Sequence, residues 1–291
     1  KVLGFSVKRK SNKFKSEKIK IYKNWKSLLS DKKIDAIFIS SPPATHKKII
    51  EYAIKKKKHI FCDKPVSTNL KNIKDLCKKL EDKKIINFVN YEFINIEAFN
   101  LFKKKYLPKL KVKKVNINWL IRISSKGRSE WKDDHSKGGG NFYNYICHIL
   151  FYLEDFFGKI ELKKSILKNE NNKFKLNTDL YSKNKKINIK LNFKTIDLKS
   201  NSRPSHKVVF NTDKAKYILF TKANNIHDQF YLIKNKKIIF KPKPIRFDFR
   251  LKPTYKNIIS FKNNIRKNKN KKPNFNDAKR VHYLVNKIIN Y

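Results

Sequence analysis

The residues best suited to chemistry stand at the ends of three short apolar segments. The segments are Ile34–Ser40, His59–Cys62 and Ile85–Val89, and the polar residues that end or follow them are Ser40 to His46, Asp63 with Lys64, and Asn90 with Tyr91. Short apolar runs of this kind are typical of parallel strands buried on both faces. Open parallel sheets bind ligands at the carboxyl ends of their strands. The sequence therefore predicts one cluster of polar side chains, in which Lys64 is well placed to face a bound ligand.

A second candidate group follows a run of three glycines. Residues 138–140 are three of only six glycines in the chain, and Asn144 and His148 come shortly after them. Residues four apart share one face of a helix, so the two side chains are expected to point the same way. Histidine exchanges protons near neutral pH, whereas an asparagine amide only forms hydrogen bonds. Trp131 and Lys132 precede the glycines and are predicted to line the same site.

The order of predicted elements changes near residue 93. Before it, strands alternate with helices, which predicts a parallel, doubly wound sheet. After it, segments of alternating hydrophobicity predict a mainly antiparallel sheet with helices on one face. We expect one domain over residues 1–93 and a second over residues 94–291, whose last helix can pack back on the first. The predicted helices cover residues 25–29, 45–57, 70–81, 98–106, 141–157, 254–265 and 276–289, and Thr45 is placed to cap the second of them.

Residues 35–69 (DAIFISSPPATHKKIIEYAIKKKKHIFCDKPVSTN) resemble the signature of the Gfo/Idh/MocA family, the glucose-fructose oxidoreductase and inositol dehydrogenase family. That signature is a strand, a T-P-P-x-x-H-like turn, a helix, G-K-H and then E-K-P. Asp63 stands where the family has Glu, and Lys57 stands where it has Gly. Because glycine relieves a tight turn, Lys57 predicts a turn that is longer or strained.

Later segments extend the resemblance over nearly the whole chain. Residues 138–148 resemble G-G-G-x-x-x-D-x-x-x-H, with Asn144 in place of Asp. Residues 148–158 resemble a subgroup linked to surface polysaccharide synthesis, in which Asn also occurs at that position, and residues 273–285 resemble the family's last helix. The resemblance implies an α/β plus α+β architecture: a truncated Rossmann-type parallel-sheet domain, then a domain with a large, mainly antiparallel sheet covered by helices.

The resemblance also implies an NAD(P)-dependent enzyme that transfers a hydride between nicotinamide and a sugar or nucleotide-sugar. Lys64 would exchange a proton with the substrate oxygen, His148 would orient the hydroxyl or share the proton, and Asn144 would hydrogen-bond. The implied cofactor-binding residues are Ser6, Lys8, Arg9, Ser40, Ser41, Pro42, Thr45, His46, Asp63, Lys64 and Tyr91. The implied substrate-binding residues are Trp131, Lys132, Asn144 and His148. No metal is implied, and a homo-oligomer is a family expectation.

The sequence has no G-x-G-x-x-G phosphate loop, the motif that seats a pyrophosphate on a helix N-terminus. Matched to the family, Val2–Val7 falls on the second strand. We therefore expect a fragment without the first strand, glycine loop and first helix, about thirty residues, and the absence of Met agrees. An acidic residue usually ends the second strand, whereas Ser6, Lys8 and Arg9 stand here. They favour a 2′-phosphate, hence NADP over NAD, with surface lysine bias as the alternative.

The composition limits the other classes of function. The net charge is +49, yet only 8 of the 72 basic residues are Arg, which base- and phosphate-binding surfaces favour. We attribute the lysines to solvated faces and expect no specific nucleic-acid partner. The chain has no apolar run of about 18 residues and no signal peptide, and its three scattered cysteines suit neither a disulfide framework nor a zinc knuckle. These features predict a cytoplasmic protein without a membrane span.

Each assignment has a structural alternative. Lys64 is one of 64 lysines, and His148 fits a buried core position. His46 fits either a helix cap or a cofactor phosphate contact, and Trp131 fits ordinary packing. For the whole protein, the alternative is a non-catalytic relative that binds a sugar or a protein partner, favoured by Asn144 and the absent glycine loop. A nucleic-acid-binding protein is supported by charge alone, and steep salt dependence of DNA binding would be its mark.

Overall fold

The computed structural model describes residues 2–6, 19–123, 130–170, 173–197 and 200–291. Within these ranges the chain forms two compact units. The first contains the described residues of 1–90, 136–138 and 259–279, and the second those of 91–135, 139–258 and 280–291. Each unit draws on separate stretches of the sequence, and the domain boundary at residue 93 stays a prediction.

The first unit is built on parallel strands and the helices between them. Its strands are β1 (Gly4–Phe5), β2 (Lys20–Ile21), β3 (Ala36–Ile39), β4 (His59–Asp63) and β5 (Asn87–Asn90), and its helices are α1 (Trp25–Ser30), α2 (His46–Lys55) and α3 (Leu70–Leu80). β3, β4 and β5 form a parallel sheet in that order, and β1 pairs with β2 in a separate parallel sheet. The predicted parallel sheet is confirmed.

Local sequence sets the starts of the helices. Asn69 begins α3, because its side-chain oxygen accepts a hydrogen bond from the Asn72 amide at 2.9 Å. The prediction for Thr45 was wrong: its hydroxyl donates back to the Pro42 carbonyl at 2.8 Å and caps no helical amide. A short 3-10 turn, Pro43–Thr45, leads into α2 in place of a side-chain cap.

An aromatic cluster packs on the three-stranded sheet. Phe61 of β4 stacks on Phe88 of β5 with 5.4 Å between ring centroids, and Phe261 meets Phe61 edge-on at 5.7 Å. Phe38 of β3 contacts Phe61 at 5.0 Å but stays 53% exposed. β3 lies at the sheet edge, where β4 is its only strand neighbour in the described ranges. Burial therefore decreases from β4 toward β3.

The second unit is built on an eight-stranded sheet. Its strands are β6 (Val112–Arg122), β7 (Ile160–Glu170), β8 (Lys173–Ser182), β9 (Ile187–Ile196), β10 (Ser205–Thr212), β11 (Lys216–Thr221), β12 (Tyr231–Lys234) and β13 (Lys237–Phe240). They lie in the order β13-β12-β11-β10-β6-β9-β8-β7, and only β6 and β9 pair in parallel among these described strands. The prediction of a large, mainly antiparallel sheet is confirmed.

One face of this sheet is apolar. Along β9, residues 187, 189, 191 and 193 are buried and the residues between them are exposed, because side chains in a strand alternate between faces. α4 (Glu97–Leu101) and α5 (Cys147–Phe157) belong to this unit, and residues of α6 (Leu251–Arg266) and α7 (Phe275–Ile289) belong to both units. Nine of the eleven α5 residues are buried, which is typical of a helix enclosed in a core.

The predicted helix over residues 141–157 begins with a π-helical turn. Phe142–Ile146 forms this turn and α5 follows it directly, so Asn144 and His148 lie in different helix types. Single π turns are rare and occur often beside functional sites. A second one, Phe102–Tyr106, follows α4. Hydrophobic periodicity alone did not predict either turn.

Three sequence expectations concern membrane spans, metal sites and cysteines. No helix in the described ranges is long and apolar enough to cross a membrane. Nor do these ranges hold a group of three His, Cys, Asp or Glu side chains placed to bind a metal ion. Cys62, Cys77 and Cys147 are free thiols, all buried.

Candidate active site

The ends of β3, β4 and β5 meet at one edge of the parallel sheet. Ile39 lies opposite Cys62, and Asp63 lies opposite Asn90, so the residues that follow these strands are neighbours. The Asn90 amide donates to Asp63 Oδ1 at 2.9 Å and links two strand ends. The residues Ser40, Ser41, Thr45, Asp63, Lys64 and Asn90 at this edge form what we call the strand-edge cluster.

His46 joins the loop after β3 to the loop after β4. Its Nε2 lies 2.7 Å from the Ser41 carbonyl oxygen, and its Nδ1 lies 2.9 Å from the Pro65 carbonyl oxygen. The side chain is buried, and burial lowers its pKa against the opposing effect of these carbonyl contacts. Because its two ring nitrogens lie beside carbonyls of two different loops, His46 links these loops, and its cofactor contact stays a prediction.

The loop after β3 presents hydroxyl groups beside the strand end. Ser41 Oγ and Thr45 Oγ1 lie 2.6 Å apart, within hydrogen-bond distance. Ser40 and Pro42 are exposed, whereas Ser41 and Thr45 are half-buried. Hydroxyls donate and accept hydrogen bonds, so this loop matches the hydroxyl groups of a ribose or a sugar.

Lys64 lies directly after β4, in the loop that His46 holds. Its peptide bond to Pro65 is cis, its side chain is half-buried, and Pro65 is buried. Gly138 packs against both loops, since a Cβ there would lie 2.6 Å from Pro43 Cβ and 3.4 Å from Pro65 Cγ. The backbone around Lys64 is therefore fixed by packing, which favours a defined position for its side chain.

His148 lies on α5 in the interior of the second unit. Phe93 stacks on its ring at 4.5 Å, and Tyr91 meets it edge-on at 6.2 Å. Glu92 Oε1 lies 3.8 Å from His148 Nε2, and both side chains are buried. Glu92 was not among the predicted site residues, although an acidic residue two positions after the end of β5 was a signal that could have found it.

Asn144 holds the segment that precedes the glycines. Its Nδ2 donates to the Lys132 carbonyl at 2.6 Å, and a Cβ at Gly139 would collide with the Trp131 carbonyl oxygen. Trp131 is half-buried and Lys132 is exposed, with its ammonium 6.0 Å from the indole centroid. The structure thus brings together Asn144 and the segment of Trp131 and Lys132 within the second unit. Their contact with a substrate stays a prediction.

The remaining predicted cofactor residues are Ser6, Lys8, Arg9 and Tyr91. Tyr91 is buried and its ring stacks on Phe151 at 4.2 Å, which is a packing position, and its cofactor contact stays a prediction. Ser6 follows β1 and is half-buried. Lys8 and Arg9 lie outside the described residues.

The strand-edge cluster suits part of a nicotinamide dinucleotide. Hydroxyls of Ser41 and Thr45 and the carboxylate of Asp63 have the hydrogen-bonding chemistry that ribose hydroxyls need. The Lys64 ammonium suits an oxygen that gains or loses a proton. This sequence has no glycine-rich loop that would bind the pyrophosphate. The residues of the strand-edge cluster therefore match the nicotinamide and ribose end of the cofactor.

Comparison with known families finds a match in the first unit. The family model described as "Oxidoreductase family, NAD-binding Rossmann fold" matches residues 5–91. Residues 5–91 are therefore similar to the Gfo/Idh/MocA oxidoreductase family. The match contains β3, α2 and β4 with the loops that form the strand-edge cluster, so the recognition made from residues 35–69 is confirmed.

Curated relatives match over less than half of the chain. Myo-inositol 2-dehydrogenase of Thermotoga maritima is 26% identical over 130 residues, 44% of this chain and 38% of its own length. The 2,7-anhydro-N-acetylneuraminate hydratase of Escherichia coli is 25% identical over 142 residues, 46% of this chain and 36% of its own length. The chain therefore matches less than two fifths of the length of these two relatives.

Solved structures share the fold over almost the entire chain. A 3-ketoreductase from Actinomadura kijaniata, in complex with NADP and TDP-benzene, superposes with a TM-score of 0.77 over 99% of this chain and 89% of its own, at 14% identity. Levoglucosan dehydrogenase in complex with NADH and L-sorbose superposes with a TM-score of 0.74 over 93% of this chain and 80% of its own, at 15% identity. At this level of identity the similarity establishes the fold alone.

Proposed function

We propose that the protein is an NAD(P)-dependent oxidoreductase that transfers a hydride between the nicotinamide and a carbon of a sugar or nucleotide-sugar. The position of Lys64 carries this proposal, because it lies directly after β4 within the segment that matches the family. The solved relatives are complexes with NADH or NADP, and one of them also holds L-sorbose. These complexes support the proposed classes of cofactor and substrate.

The side chains of this protein would donate or accept the proton, because a bound nicotinamide supplies the hydride donor or acceptor. Lys64 would give a proton to the oxygen on the reacting carbon, or take one from it. His148 would orient that hydroxyl or share its proton. Asn144 would hydrogen-bond, and its bond to the Lys132 carbonyl supports a role in holding the substrate segment.

The cofactor would lie against the carboxyl ends of the parallel strands. Ser40, Ser41, Pro42, Thr45 and Asp63 would contact it, and His46 would keep their loops in register. We infer NADP over NAD, because Ser6, Lys8 and Arg9 stand where an acidic residue would bind an unphosphorylated ribose. Comparing the dissociation constants of NADPH and NADH tests this preference.

Three further parts of the proposal concern the biological role, the location and the oligomeric state. The resemblance of residues 148–158 supports a role in surface polysaccharide synthesis, and the buried free cysteines are compatible with a cytoplasmic location. A homo-oligomer stays a family expectation. One curated relative is named a hydratase, so the experiment must establish whether the product differs in oxidation state from the substrate.

The test begins with fluorescence titration of NADPH and NADH, followed by a screen of sugars and nucleotide-sugars for a change in nicotinamide absorbance. Lys64→Ala should lower kcat about 10²- to 10⁴-fold, the usual contribution of a general acid or base, whereas loss of its predicted cofactor contact should change the cofactor dissociation constant far less. Lys74→Ala is the matched control, because Lys74 lies exposed on α3. Mass analysis of the product separates oxidation or reduction from hydration.

Two results would change the conclusion. If neither cofactor binds, the dehydrogenase proposal fails, and a relative that binds a sugar or a protein partner becomes the better account. If the cofactors bind and Lys64→Ala turns over as fast as Lys74→Ala, the enzyme assignment survives and the role of Lys64 is wrong.

A further inference from the structure

A buried carboxylate faces the candidate histidine of the second unit. Glu92 begins a 3-10 turn, Glu92–Asn95, directly after Tyr91, and its side chain is 8% exposed. Its Oε1 lies 3.8 Å from Nε2 of His148, whose side chain is 4% exposed. Removing a carboxylate from water is strongly unfavourable unless charges or hydrogen bonds compensate. A buried glutamate at this position therefore needs compensating charges or hydrogen bonds in its surroundings.

Aromatic packing fixes the plane of the His148 ring. Phe93 lies nearly parallel to it, with an interplanar angle of 16° and 4.5 Å between centroids, and Tyr91 approaches at 86°. Stacking does not distinguish the two orientations that differ by a half-turn about the bond between Cβ and the ring. That half-turn exchanges ring nitrogens for ring carbons. Packing alone therefore leaves open which nitrogen carries the proton and which points toward Glu92.

The Glu92 charge resolves this ambiguity. At 3.8 Å the carboxylate lies beyond hydrogen-bond length, so its effect on Nε2 is electrostatic. A negative charge repels a nitrogen lone pair and attracts an N–H, and the buried surroundings strengthen both effects. We propose that Glu92 is the positioning residue of His148, and that it selects the ring orientation and the tautomer in which Nε2 carries the proton.

Arg250 supports the ionised form of Glu92. The two charges interact, and this attraction contributes to raising the pKa of Arg250, although its hydrogen bond to Asp248 contributes more. Arg250 Nε lies 2.9 Å from Asp248 Oδ1 and 3.1 Å from Asp248 Oδ2, so the guanidinium is itself held in place.

The consequence for catalysis rests on the proposed function. With Nε2 protonated, Nδ1 of His148 is the acceptor nitrogen, so the ring has one defined donor and one defined acceptor. Without the Glu92 charge, either ring nitrogen should be able to carry the proton, and proton exchange should slow. Substrate binding should change little. Glu92→Gln should therefore lower kcat about 10- to 100-fold, as is usual when an orienting partner of a functional histidine is lost, with KM within about 3-fold.

The deciding measurement is NMR of the imidazole nitrogens in 15N-histidine-labelled protein at pH 8, with the His148 signals assigned by their loss in His148→Asn. Wild type should show Nε2 of His148 protonated and Nδ1 unprotonated. Glu92→Gln should show a mixture of tautomers, and Glu92→Asp should restore the single form. Glu97→Gln is the matched control, because Glu97 is exposed and pairs with Lys252 at 3.3 Å.

A wild-type His148 with its proton on Nδ1 overturns the proposal, and so does an unchanged tautomer in Glu92→Gln. The wild-type spectrum can overturn the proposal even if Glu92→Gln does not fold. This readout needs no substrate or cofactor, so it separates the two proposals. If the protein lacks dehydrogenase activity but His148 shows the expected tautomer, the proposed function is wrong and the proposed role of Glu92 is supported.

Discussion

Lys57 ends α2 in a conformation that its side chain disfavours. Its φ is 56°, in the left-handed region, and the Lys58 amide donates to the Ala53 carbonyl at 3.0 Å across it, the pattern of a helix cap usually closed by glycine. We expect Lys57→Gly to raise the free energy of unfolding by about 1 kcal/mol, because the steric strain exceeds the entropy that glycine adds to the unfolded chain.

Urea denaturation at constant pH measures this change. Lys56→Gly is the control, since Lys56 has a φ of −87°, where glycine only adds flexibility and should lower stability by roughly 0.5 to 1 kcal/mol. Equal effects of the two substitutions would show that the backbone of Lys57 is not strained.

Individual residues show which features the sequence alone could predict and which it could not. The motif position of Lys57 predicted a longer or strained turn, and its positive φ confirms the strain. The role of His46 was not predicted, because Pro65 lies 19 residues away and only the parallel pairing of β3 with β4 makes them neighbours. Glu92 was missed for the same reason, since 56 positions of sequence separate it from His148. Motifs reveal residue types, whereas long-range contacts require the fold.

At the level of elements, Gly138 makes close contact with the loops that follow β3 and β4. Gly138 and Gly140 both have positive φ, 83° and 69°. An added Cβ would meet Pro43 Cβ at 2.6 Å from Gly138, but nothing nearer than 3.4 Å from Gly140. Gly140→Ala should therefore cost about 1 to 2 kcal/mol from backbone strain. Gly138→Ala should cost about 1 to 3 kcal/mol more, because overpacking adds to the strain.

The two variants also separate stability from function. Gly138→Ala should weaken NADPH binding, since Pro43 or Pro65 must shift, whereas Gly140→Ala should leave cofactor affinity close to wild type. Thermal unfolding and fluorescence titration of both variants make the comparison. Equal losses of stability would contradict the packing of Gly138 on the two prolines.

Most elements were predictable because their periodicities are strong. Alternation along β9 and the apolar stripe of α3, Ile73, Leu76, Cys77 and Leu80, correspond to faces that the structure buries. β2 was missed, because a strand of two residues is too short to show an alternating pattern. The π turn at Phe142–Ile146 was missed because one widened turn leaves the hydrophobic pattern of the helix almost unchanged.

At the scale of the whole molecule, the charge of +49 has little influence on the fold. In β9 the lysines occupy the exposed positions between buried apolar residues, so the same alternation that builds the sheet keeps the charge in water. A positive field of this size should still raise the local concentration of an anionic cofactor or nucleotide-sugar. The absence of a nucleic-acid partner stays a prediction.

Buried histidines should make the protein sensitive to acid. Burial lowers the pKa of His206 to about 3 and that of His282 to about 3, with His135 adding to the effect on His282. Their unfolded-state pKa is about 6.5, so the unfolded chain binds more protons between these values and stability falls as pH drops through this window. Stability is complete above about pH 6.5, and each histidine should cost on the order of 2 kcal/mol at pH 5. Urea midpoints at pH 8, 6, 5 and 4 measure the loss.

His206→Phe assigns part of this loss to one residue. Phenylalanine can keep the stacking on Trp119, now 4.1 Å between centroids, and removes both the titrating group and an Nδ1 that is buried without a hydrogen-bond partner among the described residues. The Tyr152 hydroxyl loses its contact with Nε2 at 3.3 Å, so the variant should be about 1 kcal/mol less stable at pH 8. Between pH 8 and pH 5 it should lose about 2 kcal/mol less than wild type. The exposed His227→Gln should follow wild type, and a His206→Phe variant that does the same would show that His206 is protonated in the folded protein.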